Sequence, residues 1–130
     1  MARASVADVM TRRVVYLPGE TTLDEAAQAM RDQGIGDVVV TNGPTMAGLV
    51  TDRDIVVRAI AEGLPPETTT LESITSRELI MVEQSATIEE AVQAMRERGI
   101  RRLLVCDADR KLVGIVSLSD LALLPTSSPA

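Results

Sequence analysis

Two short segments of the chain place a hydroxyl side chain and a carboxylate at a spacing that could bind a ligand. They span residues 48–54 (GLVTDRD) and 114–120 (GIVSLSD). In each segment an apolar run ends at a Thr or Ser, as a buried strand does before a helix, and an Asp follows three positions later. The N–H groups at a helix N-terminus attract phosphate, and an Asp in the first turn can accept hydrogen bonds from ribose hydroxyls. The two segments therefore suggest nucleotide chemistry.

The same pattern also has a purely structural interpretation. A Ser or Thr before a helix and an acidic residue three positions later form a capping box, in which each side chain accepts a backbone N–H. This interpretation applies to Thr51 with Asp54 and to Ser117 with Asp120. Capping boxes are common, so the pattern alone favours a cap, and its recurrence at matched positions is what favours a ligand role.

The pattern recurs because the chain contains an internal duplication. Residues 22–40 and 87–105 match at a constant offset of 65 residues, which becomes 66 at the two motifs. Such self-similarity is typical of a repeated structural unit. The identical pairs are Thr22/Thr87, Glu25/Glu90, Ala26/Ala91, Gln28/Gln93, Ala29/Ala94, Met30/Met95, Arg31/Arg96, Gly34/Gly99, Ile35/Ile100 and Val40/Val105.

Each copy is predicted to contain a short helix followed by β, α, β, β and α elements. The long helices begin at capping boxes, carry apolar residues at i, i+3, i+4 and i+7, and end at glycines suited to a left-handed cap. The apolar positions are Leu23, Ala26, Ala27 and Met30 in one copy and Ile88, Ala91, Val92 and Met95 in the other. A further helix is predicted from Asp52 to Glu62, ending at Gly63.

These elements predict an α+β fold built from two repeats. We assign residues 6–62 to repeat 1, 63–70 to a linker, 71–124 to repeat 2 and 125–130 to a flexible tail. A single copy has too few elements to enclose a core. We therefore expect the two sheets to pack face to face about a pseudo-two-fold axis, burying both apolar faces.

The composition excludes several classes of function. The formal net charge is −6, which disfavours the basic face that nucleic-acid binding needs. The chain has no His, Phe or Trp and one Tyr, which excludes His-based catalysis, Cys/His zinc sites and aromatic stacking on single strands. The single Cys106 lies in an apolar run and is predicted to be a core residue.

Further exclusions concern catalysis and location. No nucleophile has a base beside it at a recognisable spacing, so we predict that the protein is not an enzyme. A lone cysteine fits a reducing compartment, and no segment approaches the ~20 apolar residues of a membrane span. The expected location is the cytoplasm.

The two motifs and the order of elements resemble a pair of CBS domains, the arrangement called a Bateman module. The resemblance runs from about residue 6 to residue 124, and residues 99–103 (GIRRL) resemble the segment that opens the family's middle strand. With no further domain in the sequence, the chain is similar to stand-alone bacterial CBS pairs. The linker, residues 63–66 (GLPP), resembles that of small actinobacterial members of the hypoxic response type.

The resemblance implies a regulatory module that binds an adenosine ligand in clefts between the repeats. The implied ligands are AMP, ADP or ATP, and less readily NAD or S-adenosylmethionine, with the motif Asp at the ribose and the Ser or Thr near the phosphate. Each cleft combines the motif of one repeat with framing residues of the other. The implied groups are Thr51, Arg53 and Asp54 with Ser76, Ile80, Arg101 and Arg102, and Ser117, Ser119 and Asp120 with Thr11, Val15, Gly36 and Asp37.

Two function classes remain open. The first is a nucleotide sensor that alters contacts with an unknown regulated protein, and the intact Asp54 and Asp120 favour it. The second is a ligand-free interaction module, which Asp37 favours because a small neutral residue is usual there in the family. Arg53, Arg101 and Arg102 are either phosphate ligands or solvated surface charges.

The sequence also predicts a homodimer. Residues 55–60 (IVVRAI) and 121–124 (LALL) are apolar on more than one face of their helices. One face can pack on the sheet of its own repeat, and the other needs a partner. The resemblance implies that CBS pairs meet through these helices.

We expect the two motifs to differ in affinity. In the implied crossed arrangement, arginines surround Asp54, whereas Asp120 shares its cleft with a second carboxylate, Asp37. Charge-assisted hydrogen bonds to phosphate contribute ~1.5–3 kcal/mol each, so one bond changes affinity roughly tenfold or more. Asp54→Ala should remove most nucleotide binding in calorimetry, and Asp120→Ala should leave most of it. The opposite ranking would refute this charge argument.

Overall fold

The computed structural model of the protein describes residues 4–75 and 79–122. The predicted ligand residue Ser76, the tail at 125–130 and the apolar positions 123–124 lie outside these ranges. Among the described residues, 15–75 and 79 form one compact unit, and 4–14 with 80–122 form another. We call them the first and the second unit. None of the helices in the described ranges is long and apolar enough to cross a membrane.

The first unit is a three-stranded sheet with helices. Its elements are β1 (Tyr16–Pro18), α1 (Leu23–Gln33), β2 (Asp37–Asn42), β3 (Thr45–Thr51), α2 (Asp52–Ile55) with a π-helical turn (Val56–Ile60), and α3 (Leu71–Ile74). The strand order is β1-β2-β3, with β1 parallel and β3 antiparallel to β2.

The second unit repeats this plan. Its elements are a 3-10 helical turn (Val6–Asp8), β4 (Met81–Glu83), α4 (Ile88–Arg98), β5 (Arg102–Cys106), β6 (Leu112–Ser117) and α5 (Leu118–Ala122). The strand order is β4-β5-β6, again with one parallel and one antiparallel pair. The α+β class and the tandem repetition are therefore confirmed.

The long helices begin and end as their sequence signals predict. In α4 the Thr87 N–H donates to Glu90 Oε1 (3.0 Å) and the Glu90 N–H to Thr87 Oγ1 (3.1 Å), and α1 has the same box. The backbone hydrogen bond from Thr87, and then that from its side chain, lowers the pKa of Glu90. Gly34 and Gly99 both adopt φ of 64°, the left-handed cap that glycine favours.

The apolar stripe of α1 is narrower than predicted. Leu23, Ala26 and Met30 are buried, but Ala27 is exposed, so its assignment to the core-facing stripe is wrong. The i+4 position lies at the edge of the buried face, and a small side chain there does not reach the sheet. In α4, Ala91 and Met95 are buried.

The helix predicted from Asp52 to Glu62 changes geometry part-way. Its α-helical part ends at Ile55, and Val56–Ile60 form a π-helical turn. In this turn the Ala61 N–H donates a hydrogen bond to the Val56 carbonyl at 2.8 Å. The helix ends two residues earlier than predicted. The run of β-branched residues lowers the preference for a regular α-helix, because their χ1 angles are restricted against the preceding turn.

The opening helical segment of each repeat packs in the unit that contains the other repeat's sheet. Leu71 and Ile74 of α3 belong to the core of the first unit, with Val38, Val40 and Val50. Likewise Val6 and Met10 belong to the core of the second unit, whose sheet contributes buried residues. Those residues are Leu103, Val105 and Val116, and Cys106 is also buried, as predicted.

A close backbone contact joins the N-terminal segment to β6 within the second unit. Thr11 and Ile115 exchange both backbone hydrogen bonds, at 2.8 and 3.0 Å. Beside them, a Cβ added at Gly114 would lie 2.8 Å from the Thr11 carbonyl oxygen and 2.8 Å from the Met10 sulfur. Only glycine allows this approach, which explains why the second motif begins with it.

Gly114→Ala should therefore loosen the N-terminal segment. We expect a loss of about 1–3 kcal/mol in the free energy of unfolding, as for other overpacked sites, and faster hydrogen exchange at the amides of Thr11 and Ile115. Gly99→Ala is the comparison, because it strains a backbone angle but a Cβ there meets nothing within 4 Å. Unchanged protection of the Thr11 amide in Gly114→Ala would contradict this account.

Candidate ligand-binding site

The first motif lies where β3 becomes α2, and its side chains form a complete capping box. The Thr51 N–H donates to Asp54 Oδ2 at 2.9 Å, and the Asp54 N–H donates to Thr51 Oγ1 at 3.0 Å. Both residues are half-buried. The capping interpretation is confirmed, and it holds the hydroxyl and the carboxylate in one defined geometry.

The second motif repeats this geometry where β6 becomes α5. The Ser117 N–H donates to Asp120 Oδ2 at 3.0 Å, and the Asp120 N–H donates to Ser117 Oγ at 3.1 Å. A carboxylate offers about four acceptor positions, and the cap uses one of them. Each motif therefore presents a half-buried, oriented carboxylate that has further acceptor capacity.

The neighbours of the first motif come from the start of β2. Asp37 is the ladder partner of Thr51, and the Asp52 N–H donates to the Gly36 carbonyl at 2.9 Å. Asp37 therefore lies beside the Asp54 motif within the first unit. The crossed arrangement implied by the family resemblance assigns its negative charge only to the Asp120 motif.

The neighbours of the second motif are cationic. Arg102 is the ladder partner of Ser117, and the Leu118 N–H donates to the Arg101 carbonyl at 2.8 Å. Arg101 and Arg102 are thus neighbours of the Asp120 motif within the second unit, and their assignment to the Asp54 motif in the crossed arrangement stays a prediction. β5 and β6 are antiparallel neighbours, so the start of one strand lies beside the end of the other.

The other predicted site residues divide between the two units. Val15 is in the first unit, where its carbonyl accepts the Val39 N–H at 2.8 Å. Ile80 is in the second unit, where its carbonyl accepts the Leu104 N–H at 3.2 Å. Thr11 pairs with Ile115, a residue of the second motif. Arg53 and Ser119 are exposed.

Arg58 is a site residue that the sequence analysis missed. Its Nε lies 3.8 Å from Asp54 Oδ1, and its Nη1 donates to the Ile74 carbonyl at 3.0 Å. The i,i+4 spacing of Asp54 and Arg58 is a familiar helical pair and could have identified it. Within the described ranges, no three His, Cys, Asp or Glu side chains cluster in a way that could hold a metal ion.

Known proteins resemble the chain over nearly its whole length. The family model "CBS domain" matches residues 6–60 and 71–125. An uncharacterised protein of Methanopyrus kandleri, MK0525, is 37% identical over 93% of this chain, which spans 62% of that protein. Hypoxic response protein 1 of Mycobacterium tuberculosis is 35% identical over 88% of this chain and 80% of its own length.

A solved structure extends the similarity to three dimensions. The CBS domain protein PAE2072 from Pyrobaculum aerophilum, complexed with AMP, has a TM-score of 0.79 and 27% identity, covering 93% of this chain and 92% of that one. Fold, duplicated motifs and family model agree over both repeats. The chain belongs to the CBS domain family, as a tandem pair of CBS repeats.

Proposed function

We propose that the protein is a non-catalytic regulatory module that binds an adenosine nucleotide of the AMP, ADP or ATP class at its two motifs. The observation that carries the proposal is the matched pair of half-buried carboxylates, Asp54 and Asp120, each held by its own backbone through one oxygen. The AMP complex of the similar Pyrobaculum aerophilum protein supports the choice of ligand.

The chemistry of the motifs suits a ribose phosphate. The carboxylate oxygens can accept hydrogen bonds from sugar hydroxyls, and the Thr51 and Ser117 hydroxyls can donate to phosphate. Charged donors come from Arg53, Arg101 and Arg102, and Arg–phosphate hydrogen bonds are among the strong ones. Because the chain has one aromatic residue, Tyr16, aliphatic side chains and backbone amides would hold the adenine.

A ligand-free interaction module is the alternative. Asp37, the ladder partner of Thr51, favours it, because a carboxylate beside the hydroxyl repels a phosphate. The capping boxes also give both motif carboxylates a structural role without any ligand.

A thermal-shift panel separates these functions. AMP, ADP, ATP, NAD and S-adenosylmethionine are added separately to the wild-type protein and to an Asp54→Ala/Asp120→Ala double variant. A ligand at ~100 times its Kd stabilises the folded state by ~2.7 kcal/mol, so at least one of the first three should raise the Tm of the wild type only. No shift with any of the five would favour the ligand-free module.

We further propose that the protein acts as a homodimer through the helix that follows the first motif. Val56, Val57 and Ile60 are 56%, 45% and 50% exposed, although all three are large apolar residues. Adjacent exposed apolar side chains on one short segment are typical of a contact surface. The segment begins directly after the Asp54 motif, so a change at the motif is close to the surface that meets the partner.

Light scattering behind a sizing column tests the dimer. The wild type should elute as a dimer at tens of micromolar, and Val56→Glu/Ile60→Glu should elute as a monomer. Ala27→Glu is the matched control, because Ala27 is an exposed apolar residue on another helix. A monomeric wild type would contradict the proposal.

A further inference from the structure

Arg58 distinguishes the first motif from the second. Residue 58 follows Asp54 by four positions, and the residue that follows Asp120 by four positions is Leu124. In the sequence, the duplication therefore preserves the hydroxyl and the carboxylate, but only the first copy has an arginine four positions after its Asp. The capping box of the first motif forms without Arg58, and the second copy has Leu124 at the matching position of the sequence. Arg58 is therefore a candidate for ligand discrimination.

Two contacts hold the Arg58 side chain at the motif. Nη1 donates to the Ile74 carbonyl at 3.0 Å, and Nε lies 3.8 Å from Asp54 Oδ1. Ile74 is the last residue of α3 and is buried, so it provides a fixed acceptor. An exposed ion pair alone contributes little, but a side chain already anchored to the backbone loses less entropy when it binds a ligand.

The guanidinium also retains donors for a ligand. Arg has five N–H donors, of which the Ile74 carbonyl takes one and the Asp54 carboxylate attracts another. The side chains of Arg58 and Asp54 are 49% and 27% exposed, so a ligand can reach both. A donor and an acceptor side by side match a sugar hydroxyl, which accepts and donates at once.

We propose that Arg58 is a ribose-specificity residue of the first motif. Asp54 accepts the hydrogen of a sugar hydroxyl, while Arg58 orients the carboxylate and donates to the oxygen of the vicinal diol. The inference rests on the proposed nucleotide function. The ligand class it implies is an adenosine nucleotide with both ribose hydroxyls, in preference to its deoxy forms.

Calorimetry with deoxy analogues tests the role of Arg58. AMP, 2′-deoxy-AMP and 3′-deoxy-AMP are titrated into three variants of the full chain. All three carry Asp120→Ala, which isolates the first motif. The first keeps Arg58, the second carries Arg58→Ala and the third carries Arg58→Lys. With Arg58 intact, at least one deoxy form should bind roughly tenfold more weakly than AMP, since a lost charged hydrogen bond has about that effect. Arg58→Ala should weaken AMP binding by a similar factor. It should also bring the ratio of the affinities for AMP and for its deoxy forms close to one.

The controls separate specificity from folding and from net charge. Arg96→Ala removes one positive charge from an exposed position of α4 and should leave both affinity and ratio unchanged. Arg58→Lys keeps the charge but not the two-sided donor geometry, so it should recover part of the affinity and little of the ratio.

Each outcome decides one question. If the protein with Arg58 intact binds none of the three nucleotides, the proposed function fails. If it binds them and Arg58→Ala keeps the AMP-to-deoxy ratio, the inference about Arg58 is overturned, whether or not the overall affinity falls. A uniform loss of affinity for all three ligands would show that Arg58 only supports the fold.

Discussion

The rest of the structure depends on one interaction, the exchange of hydrogen bonds between an Asp and a Ser or Thr where a strand becomes a helix. The Asp accepts the backbone N–H of the hydroxyl residue, and the hydroxyl accepts that of the Asp, within 2.9–3.1 Å in both copies. This exchange ends the buried strand and starts the helix. It also orients the two groups that the proposed nucleotide site needs, so folding and binding use the same atoms.

The position of the motifs follows from how the cores are completed. Each three-stranded sheet is covered by its own long helix and by the short opening segment of the other repeat, α3 in the first unit and Val6–Asp8 in the second. Because each opening segment packs on the sheet of the other repeat, Ile74 lies within reach of Arg58, and Thr11 lies against Ile115 near the second motif. The opening segments therefore both fill the cores and approach the candidate sites.

Local signals in the sequence predicted much of this architecture. The capping boxes at Thr22 and Thr87 and the left-handed glycines, Gly34 and Gly99, depend on a few adjacent residues, so the pattern was sufficient. The exchange of opening segments depends on contacts between residues far apart in the chain, which periodicity does not show. The π-helical turn was missed because its residues are apolar at helical spacing whatever the exact hydrogen-bond pattern.

The surroundings of the motifs were predicted less well than the motifs themselves. Two strands joined by a short turn pair antiparallel, so the start of β5 had to lie beside the end of β6, and Arg102 beside Ser117. The family resemblance directed attention to the opposite repeat instead. The neighbourhood of Asp37 and Thr51 within the first unit was overlooked for the same reason. Arg58 was overlooked because the motif was read only as far as its Asp.

The most direct test of nucleotide binding at the motifs is an amide-resolved NMR titration of the full chain with AMP. The account predicts shift changes centred on the capping amides of Thr51, Asp54, Ser117 and Asp120, since these N–H groups report on the carboxylates and hydroxyls that meet the sugar phosphate. Amides at the exposed loop of residues 107–111 should stay unchanged. Saturating AMP that leaves the capping amides unmoved, or that shifts only distant residues, would contradict it.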